Sequence, residues 1–378
     1  MTDPLESARR LFTDGLAAFE AGDLPRAEQC FAQALQLAPD RPSVLTNLGA
    51  TRVRLGRFAQ ALPLLERASA LEASNLEAWV HLGTARAETG QLQAAVLAFD
   101  KALALRDDLA FVWVQRGSAL RELGRRDEAA ASFERAMALG ADDELTRFYL
   151  AAVRGSDSPS APPRRYVEGL FDGYADDFEP HLLNLGYRAH ERVVEQLRAH
   201  HPPPWGAVLD LGCGTGLVGR LVQAQAQRLT GIDVAVRMVE QARRLGGYDE
   251  VIHADLAAWL AAPPDGPHAL YDVAFAADVF IYVGAIDGVL RDLRHHLRPG
   301  GWLSFSVEAL DDANPADGVP GGFRLQGSLR YAHSEAYVRQ LAAGLGWTVH
   351  SLLRAPIRDD QRQPVAGMYL VMQAPGTP

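Results

Sequence analysis

The chain has 378 residues, 48% of them hydrophobic, and a formal net charge of −10. That content excludes wholesale disorder, and the acidic balance argues against a general binder of phosphate backbones, which needs surplus cations. Two cysteines, Cys30 and Cys213, exclude a disulfide framework, and no apolar run reaches the ~18–20 residues of a membrane span. The N-terminus, Met1 to Ser7, is polar and acidic, unlike a secretory signal. The expectation is a soluble cytoplasmic protein of two domains.

The first half is periodic. Gly15, Gly49, Gly83 and Gly117 recur every 34 residues, in phase with Ala27, Ala61, Ala95 and Ala129 and with Ala34, Ala68, Ala102 and Ala136. Phe31, Leu65, Phe99 and Phe133 supply one large apolar residue per period, and Gly22, Gly56, Gly90 and Gly124 fall where each unit should turn. Small residues let paired helices approach, the large one fills the groove, and the second glycine permits the reversal. The pattern resembles the tetratricopeptide repeat over residues 8 to about 141, followed by a closing helix from Asp142 to Arg154. Such arrays expose a concave face lined by the first helix of each repeat. Asn47, Arg54, His81, Glu88, Gln115, Arg121 and Glu122 are placed there, and the resemblance implies a peptide or protein partner.

Gly155 to Pro163 concentrates Gly, Ser and Pro without periodicity and reads as a linker. Beyond it, short apolar runs at Ala207–Leu211, Arg228–Asp233, Glu250–His253, Tyr271–Ala276 and Gly301–Val307 alternate with amphipathic stretches. That alternation predicts βαβ units around a buried, mostly parallel sheet, closed by an antiparallel strand near Met368–Met372. The expected domains are 1–154, a linker at 155–163, and 164–378.

The segment from Val208 to Gly216 ends a strand and opens a helix through a loop carrying Gly212, Gly214 and Gly216. Backbone free of side chains admits a ligand. Gly214, Gly216 and Gly219 also fit a dinucleotide fingerprint. Asp210, just before the loop, would repel a pyrophosphate and attract an ammonium or sulfonium, which favours a cationic ligand such as S-adenosylmethionine. Asp233, ending the second strand, can accept from ribose hydroxyls, and Asp255, after the third, from an adenine amino group.

This loop, with the downstream Leu297-Arg-Pro-Gly-Gly301 turn, resembles the class I S-adenosylmethionine-dependent methyltransferases over roughly residues 164 to 375. Repeats joined to the run Arg165 to Phe178 resemble the bacterial repeat-containing predicted methyltransferases. That likeness implies a helical lid carrying Tyr174 and Phe178, and a small loop residue rather than a nucleophile at Cys213.

Methyl transfer needs alignment, exclusion of water and, for a poorly ionised acceptor, a base. Asp278, just beyond the fourth strand, is a candidate base or orienting group, and Tyr282 one turn later a pocket residue. His333 is the second candidate base, weighed against a place at a helix start where Ser334 is the cap. His295 and His296 read as solvated helix-end residues, and the Gly-, Pro- and Asp-rich stretch from Asp311 to Gly327 as a substrate cover. No metal site is expected. The reading is therefore an all-α repeat array followed by a doubly wound α/β domain that moves methyl from S-adenosylmethionine to an O or N acceptor. The array recruits a peptide or protein. Two alternatives stand beside it: a small-molecule methyltransferase, of natural-product or quinone-like compounds, whose array only docks or forms a homodimer, and a non-enzymatic scaffold.

Overall fold

The computed structural model describes residues 3–155, 158–264, 270–310, 322–360 and 363–376. They divide into two compact units, Met1–Arg154 and Gly155–Pro378. Most of the Asp311–Gly327 stretch expected as a cover lies outside the described residues.

The first unit is a succession of antiparallel helix pairs: α1 (Pro4–Glu20) with α2 (Leu24–Leu37), α3 (Pro42–Arg54) with α4 (Phe58–Leu71), α5 (Leu76–Glu88) with α6 (Leu92–Leu105), and α7 (Ala110–Glu122) with α8 (Arg126–Ala138). A ninth helix, α9 (Glu144–Arg154), covers Phe133 and Ala129 of the last pair. The helix contacts follow the sequence period. A Cβ on Gly15 would stand 2.6 Å from the Phe31 ring, and one on Gly117 would stand 2.7 Å from the Phe133 ring, so only glycine lets the large residue seat. The turn glycines adopt φ of +72° to +78° at Gly22, Gly56, Gly90 and Gly124, the left-handed region that stops each first helix. Of the residues the sequence places on the concave face, Arg54 lies over the Phe19 ring at 4.6 Å, and Gln115 accepts from Thr84 Oγ1 at 3.1 Å.

The second unit is a nine-stranded sheet. Its strands are β1 (Trp205–Leu211), β2 (Ala226–Asp233), β3 (Glu250–His253), β4 (Tyr271–Ala276), β5 (Leu297–Ala309), β6 (Phe323–Leu325), β7 (Tyr331–His333), β8 (Thr348–Asp360) and β9 (Gln363–Gln373). Strands β3–β2–β1–β4–β5 run parallel in that order; β9 joins β5 antiparallel, and β8 joins β9. A short β7–β6 hairpin continues from the far end of β5 through Glu308 and Ala309, a feature absent from the sequence reading. Strand order reverses between β1 and β4, and open α/β sheets hold ligands beyond the carboxyl ends of their strands at such a reversal.

Alternation within β1 sorts the two cores. Leu209 and Leu211 face one side, toward α16 (Asp287–His296) and α17 (Glu335–Gly344), whereas Val208 faces the other, toward α12 (Ala189–His200) and α13 (Leu217–Val222). His296 is buried, its Nε2 within 3.0 Å of Leu260 O, contrary to the expected solvated end. Residues expected in a linker lie within this unit: Ala285 N–H donates to Ser160 O at 2.8 Å, and Leu325 N–H to Ser158 Oγ at 2.9 Å. An extended segment has no internal hydrogen bonds, and these loops satisfy its acceptors.

Candidate active site

The carboxyl ends of β1 to β4 open into a cavity of about 370 Å³. Its floor is made by Gly212 and Gly214 after β1, Asp233 after β2, Asp255 after β3, and Asp278 and Val279 after β4. Its cover is two helices, α10 (Arg164–Tyr174) and α11 (Phe178–Asn184). Val167, Leu170, Phe171 and Tyr174 recur at i, i+3, i+4 and i+7 on the first, as do Phe178, His181, Leu182 and Leu185 on and after the second. That spacing puts one helical face of each over the cavity. Neither helix contains a fully buried residue. They are tied to α14 (Val236–Leu245) by polar contacts: Arg237 N–H to Asp172 Oδ1 at 3.0 Å and Gln241 Nε2 to Ala175 O at 2.8 Å. Arg220 pairs with Glu179 of α11. Tyr174 and Phe178 meet edge to face at 6.0 Å, and Phe171 meets Tyr282 likewise at 5.1 Å. The aromatic cover implied by resemblance therefore borders the cavity, with Phe171 added to it.

The glycine loop is closed on itself. Cys213 N–H donates to Ile232 O at 2.9 Å, Gly216 N–H to Cys213 O at 2.9 Å, and Gly214 N–H to Asp233 Oδ2 at 2.9 Å. Ala235 N–H holds the other Asp233 oxygen at 2.9 Å. A dinucleotide diphosphate would have to compete with these partners for the loop amides. Asp233, fixed by two donors, keeps free lone pairs toward the cavity, suited to vicinal hydroxyls. Burial pushes its pKa up, against the pull of the backbone N–H groups of Ala235, Gly214 and Val234. Asp255 also borders the cavity, but its Oδ1 accepts from Ala258 N–H at 2.8 Å and caps the helix that follows. Polar edges at Asp233 and Asp255 between apolar walls can hold a nucleoside.

Three sequence expectations need correction. Asp210 does not border the cavity. It shares the strand face of Val208, is 1% exposed, and accepts from Tyr248 Oη at 2.6 Å behind the loop, where burial pushes its pKa up to about 7. The attraction of a cation by Asp210 is therefore not the basis of this site. Gly216 also lies away from the cavity, as the left-handed residue (φ +98°) that starts α13. His333 is fully buried at the end of β7, its Nε2–H donating to Gly284 O at 2.9 Å, and desolvation lowers its pKa to about 4. It is off the cavity lining, so it has no route to an acceptor proton. Ser334 instead caps α17 by accepting from Tyr337 N–H at 3.2 Å.

Asp278 and Tyr282 do line the cavity. Asp278 has φ +60°, a strained conformation for a residue with a side chain, and its N–H donates to Ser306 Oγ at 2.8 Å. Its carboxylate pairs with Arg358 at 3.1 Å, and the same guanidinium pairs with buried Glu308. Burial raises the pKa of both acids while Arg358 opposes the shift. Tyr282 Oη accepts from Arg330 Nε at 3.3 Å. The sequence reading missed Arg330, Arg358 and Glu308. A signal existed: an acid at the end of the apolar β5 run, and an arginine three residues before His333 in the segment already singled out.

Comparison with known proteins is consistent with this division. Residues 209–303 match the family profile of a methyltransferase domain, and 10–74, 46–110 and 112–142 match tetratricopeptide repeats. A trans-aconitate 2-methyltransferase of Paracidovorax citrulli is 32% identical over 35% of this chain and 50% of that protein. A malonyl-[acyl-carrier protein] O-methyltransferase of Enterobacter lignolyticus is 27% identical over 40% of this chain and 57% of its own. The chain thus spans about half the length of these curated relatives. A solved 1,6-didemethyltoxoflavin-N1-methyltransferase of Burkholderia thailandensis aligns with a TM-score of 0.45 and 20% identity over 58% of this chain and 94% of its own. Among the described residues, no helix is long and apolar enough to cross a membrane.

Proposed function

We propose that this chain, in which residues 209–303 match a methyltransferase domain and three stretches between 10 and 142 match tetratricopeptide repeats, is a class I methyltransferase that methylates an acceptor using S-adenosylmethionine. The observation that carries the reading is the cavity at the sheet's reversal point, with Asp233 braced by Gly214 and Ala235 and with aromatic helices above it. Asp233 receives the ribose hydroxyls, Asp255 the adenine edge, and Tyr174, Phe171 and Phe178 cover the ligand. When bound, S-adenosylmethionine supplies a methyl group already activated as a sulfonium. The chain's own tasks are then to orient the acceptor and keep water out.

Neither base expected from the sequence is available: Asp278 is ion-paired with Arg358, and His333 is buried elsewhere; the imidazole that does border the cavity is His181, on the cover. An acceptor that is already ionised or needs no proton removed suits a site whose two expected bases are engaged elsewhere. The array recruits a peptide or protein in this reading. A second reading, with a small-molecule acceptor and the array used for docking or dimerisation, is favoured by the small, covered cavity.

The test is incubation of the full chain with methyl-labelled donor and a size-fractionated cell extract. Label in both fractions or in the protein fraction supports recruitment, label only in the small-molecule fraction supports the second reading, and no label rejects methyl transfer. The scaffold alternative, in which the second unit merely binds cofactor, predicts uptake of S-adenosylhomocysteine and no label.

A further inference from the structure

Two arginines enter the cavity from its acceptor side, and they differ in one respect. Arg358 is 4% exposed and saturated: it pairs with Asp278 and Glu308, and Gln326 Nε2 completes Glu308 at 3.2 Å. Arg330 is half-buried on the same wall, yet its hydrogen bond is to a phenol oxygen, Tyr282 Oη, at 3.3 Å through Nε. Among the described residues, no carboxylate lies within ion-pairing distance of Arg330, and its two terminal nitrogens have no acceptor.

The four ionised groups, Arg330, Arg358, Asp278 and Glu308, cancel in charge, so the wall does not repel an anion. What is missing is an acceptor. The terminal nitrogens of Arg330 are open to the cavity with no protein acceptor, and the planar guanidinium edge matches the two oxygens of a carboxylate. Apolar residues of the cover line the same cavity, so a bound acid would have its charged end on Arg330 and its carbon body among them.

We propose that Arg330 is the acceptor-binding residue and that the acceptor is an organic carboxylate, converted to its methyl ester. The proposal rests on the methyl-transfer reading above. Transfer to a carboxylate forms one O–C bond as one S–C bond breaks; the bonding pair stays on sulfur, and no proton moves. A carboxylate is ionised at neutral pH, so its methylation does not depend on Asp278 or His333 as a base. The ester formed has lost its charge and with it the strongest interaction with Arg330, so product and substrate are told apart by the same residue.

The test is calorimetric titration of the full chain with saturated dicarboxylates from malonate to adipate and with their diamides, each with and without S-adenosylhomocysteine. Wild-type protein should bind at least one acid and not its diamide. Arg330→Gln should weaken that acid about tenfold or more, and Arg330→Lys should recover part of it. Affinity for S-adenosylhomocysteine should stay within about twofold in both variants, a readout that a misfolded wall would not preserve. Incubation with labelled donor should place label on the acid in a form released as methanol by base. Equal binding of acids and diamides, binding of none of them, or an unchanged acid affinity in Arg330→Gln would each overturn the assignment. The titrations without S-adenosylhomocysteine judge the anchor by itself, so failure of the wild-type chain to take up S-adenosylhomocysteine counts against the methyl-transfer reading alone.

Discussion

The repeat array and the α/β unit are stabilised by different kinds of contact. In the array, each large residue meets a glycine a fixed 16 positions earlier: Phe31 on Gly15, Leu65 on Gly49, Phe99 on Gly83 and Phe133 on Gly117. The interaction is short-range in sequence and repeated. In the α/β unit, the acceptor wall joins Asp278, Glu308, Arg330 and Arg358, which come from four separate segments and meet only after the sheet has formed. The first kind of contact makes stability a sum of similar local terms, whereas the second makes it depend on a few coupled charges.

The sharpest test of that difference is Arg358→Met. Removing the shared partner leaves two buried carboxylates without their ion pair, so unfolding free energy should fall by about 3–5 kcal/mol. Denaturant melts read the loss. The double variant Arg358→Met with Asp278→Asn should lose less than the two single losses combined. Strict additivity would break the claim of coupling.

Asp210 comes next. Its folded pKa of about 7 lies above the ordinary carboxyl value because it is buried. The folded state therefore holds the proton more tightly, and stability present at low pH is lost as pH rises through the folded pKa. Between pH 5 and pH 8, wild-type protein should lose about 2.5 kcal/mol relative to Asp210→Asn. Parallel stability curves for the two proteins would place the carboxylate in water. His333 carries the opposite sign. Its pKa is lowered to about 4, so its contribution is lost as pH falls from about 6.5 through 4, and His333→Gln should flatten that acid limb.

Smaller and more uniform effects are expected in the array. A Cβ on Gly49 would sit 2.6 Å from Leu65, and one on Gly117 would sit 2.7 Å from Phe133. Gly49→Ala and Gly117→Ala should each cost about 1–3 kcal/mol, and together their sum within about 0.5 kcal/mol. A large interaction term would mean the array transmits strain as the α/β unit does. The smallest effect is at a cap: Asn75→Ala removes the acceptor of Ala78 N–H at 3.0 Å and should cost about 1 kcal/mol.

The same contrast explains what the sequence disclosed. The array was legible because a 34-residue period repeats one local rule, and the strands of the α/β unit because apolar runs alternate with helical ones. Asp233 and Tyr174 fell on the cavity because position after a strand end, or on a lid helix, decides where they lie. Asp210 did not, because facing is set by strand alternation, and Tyr248, 38 residues away, supplies the partner that turns it inward. His333 was misread because its burial depends on a short hairpin paired to the end of β5, and no periodicity announces that hairpin. Arg330 was hidden because an unpaired arginine is recognisable only when every nearby acid has been assigned.

The central claim is that the braced carboxylate of Asp233, rather than the acid ahead of the glycine loop, holds an adenosyl ligand. Calorimetric titration of S-adenosylhomocysteine into the full chain, Asp233→Asn and Asp210→Asn tests it most directly. The prediction is binding by wild-type protein, a loss of about tenfold or more in Asp233→Asn, and retention within about threefold in Asp210→Asn. Unchanged affinity in Asp233→Asn, or uptake of a nicotinamide dinucleotide with none of S-adenosylhomocysteine, would contradict it.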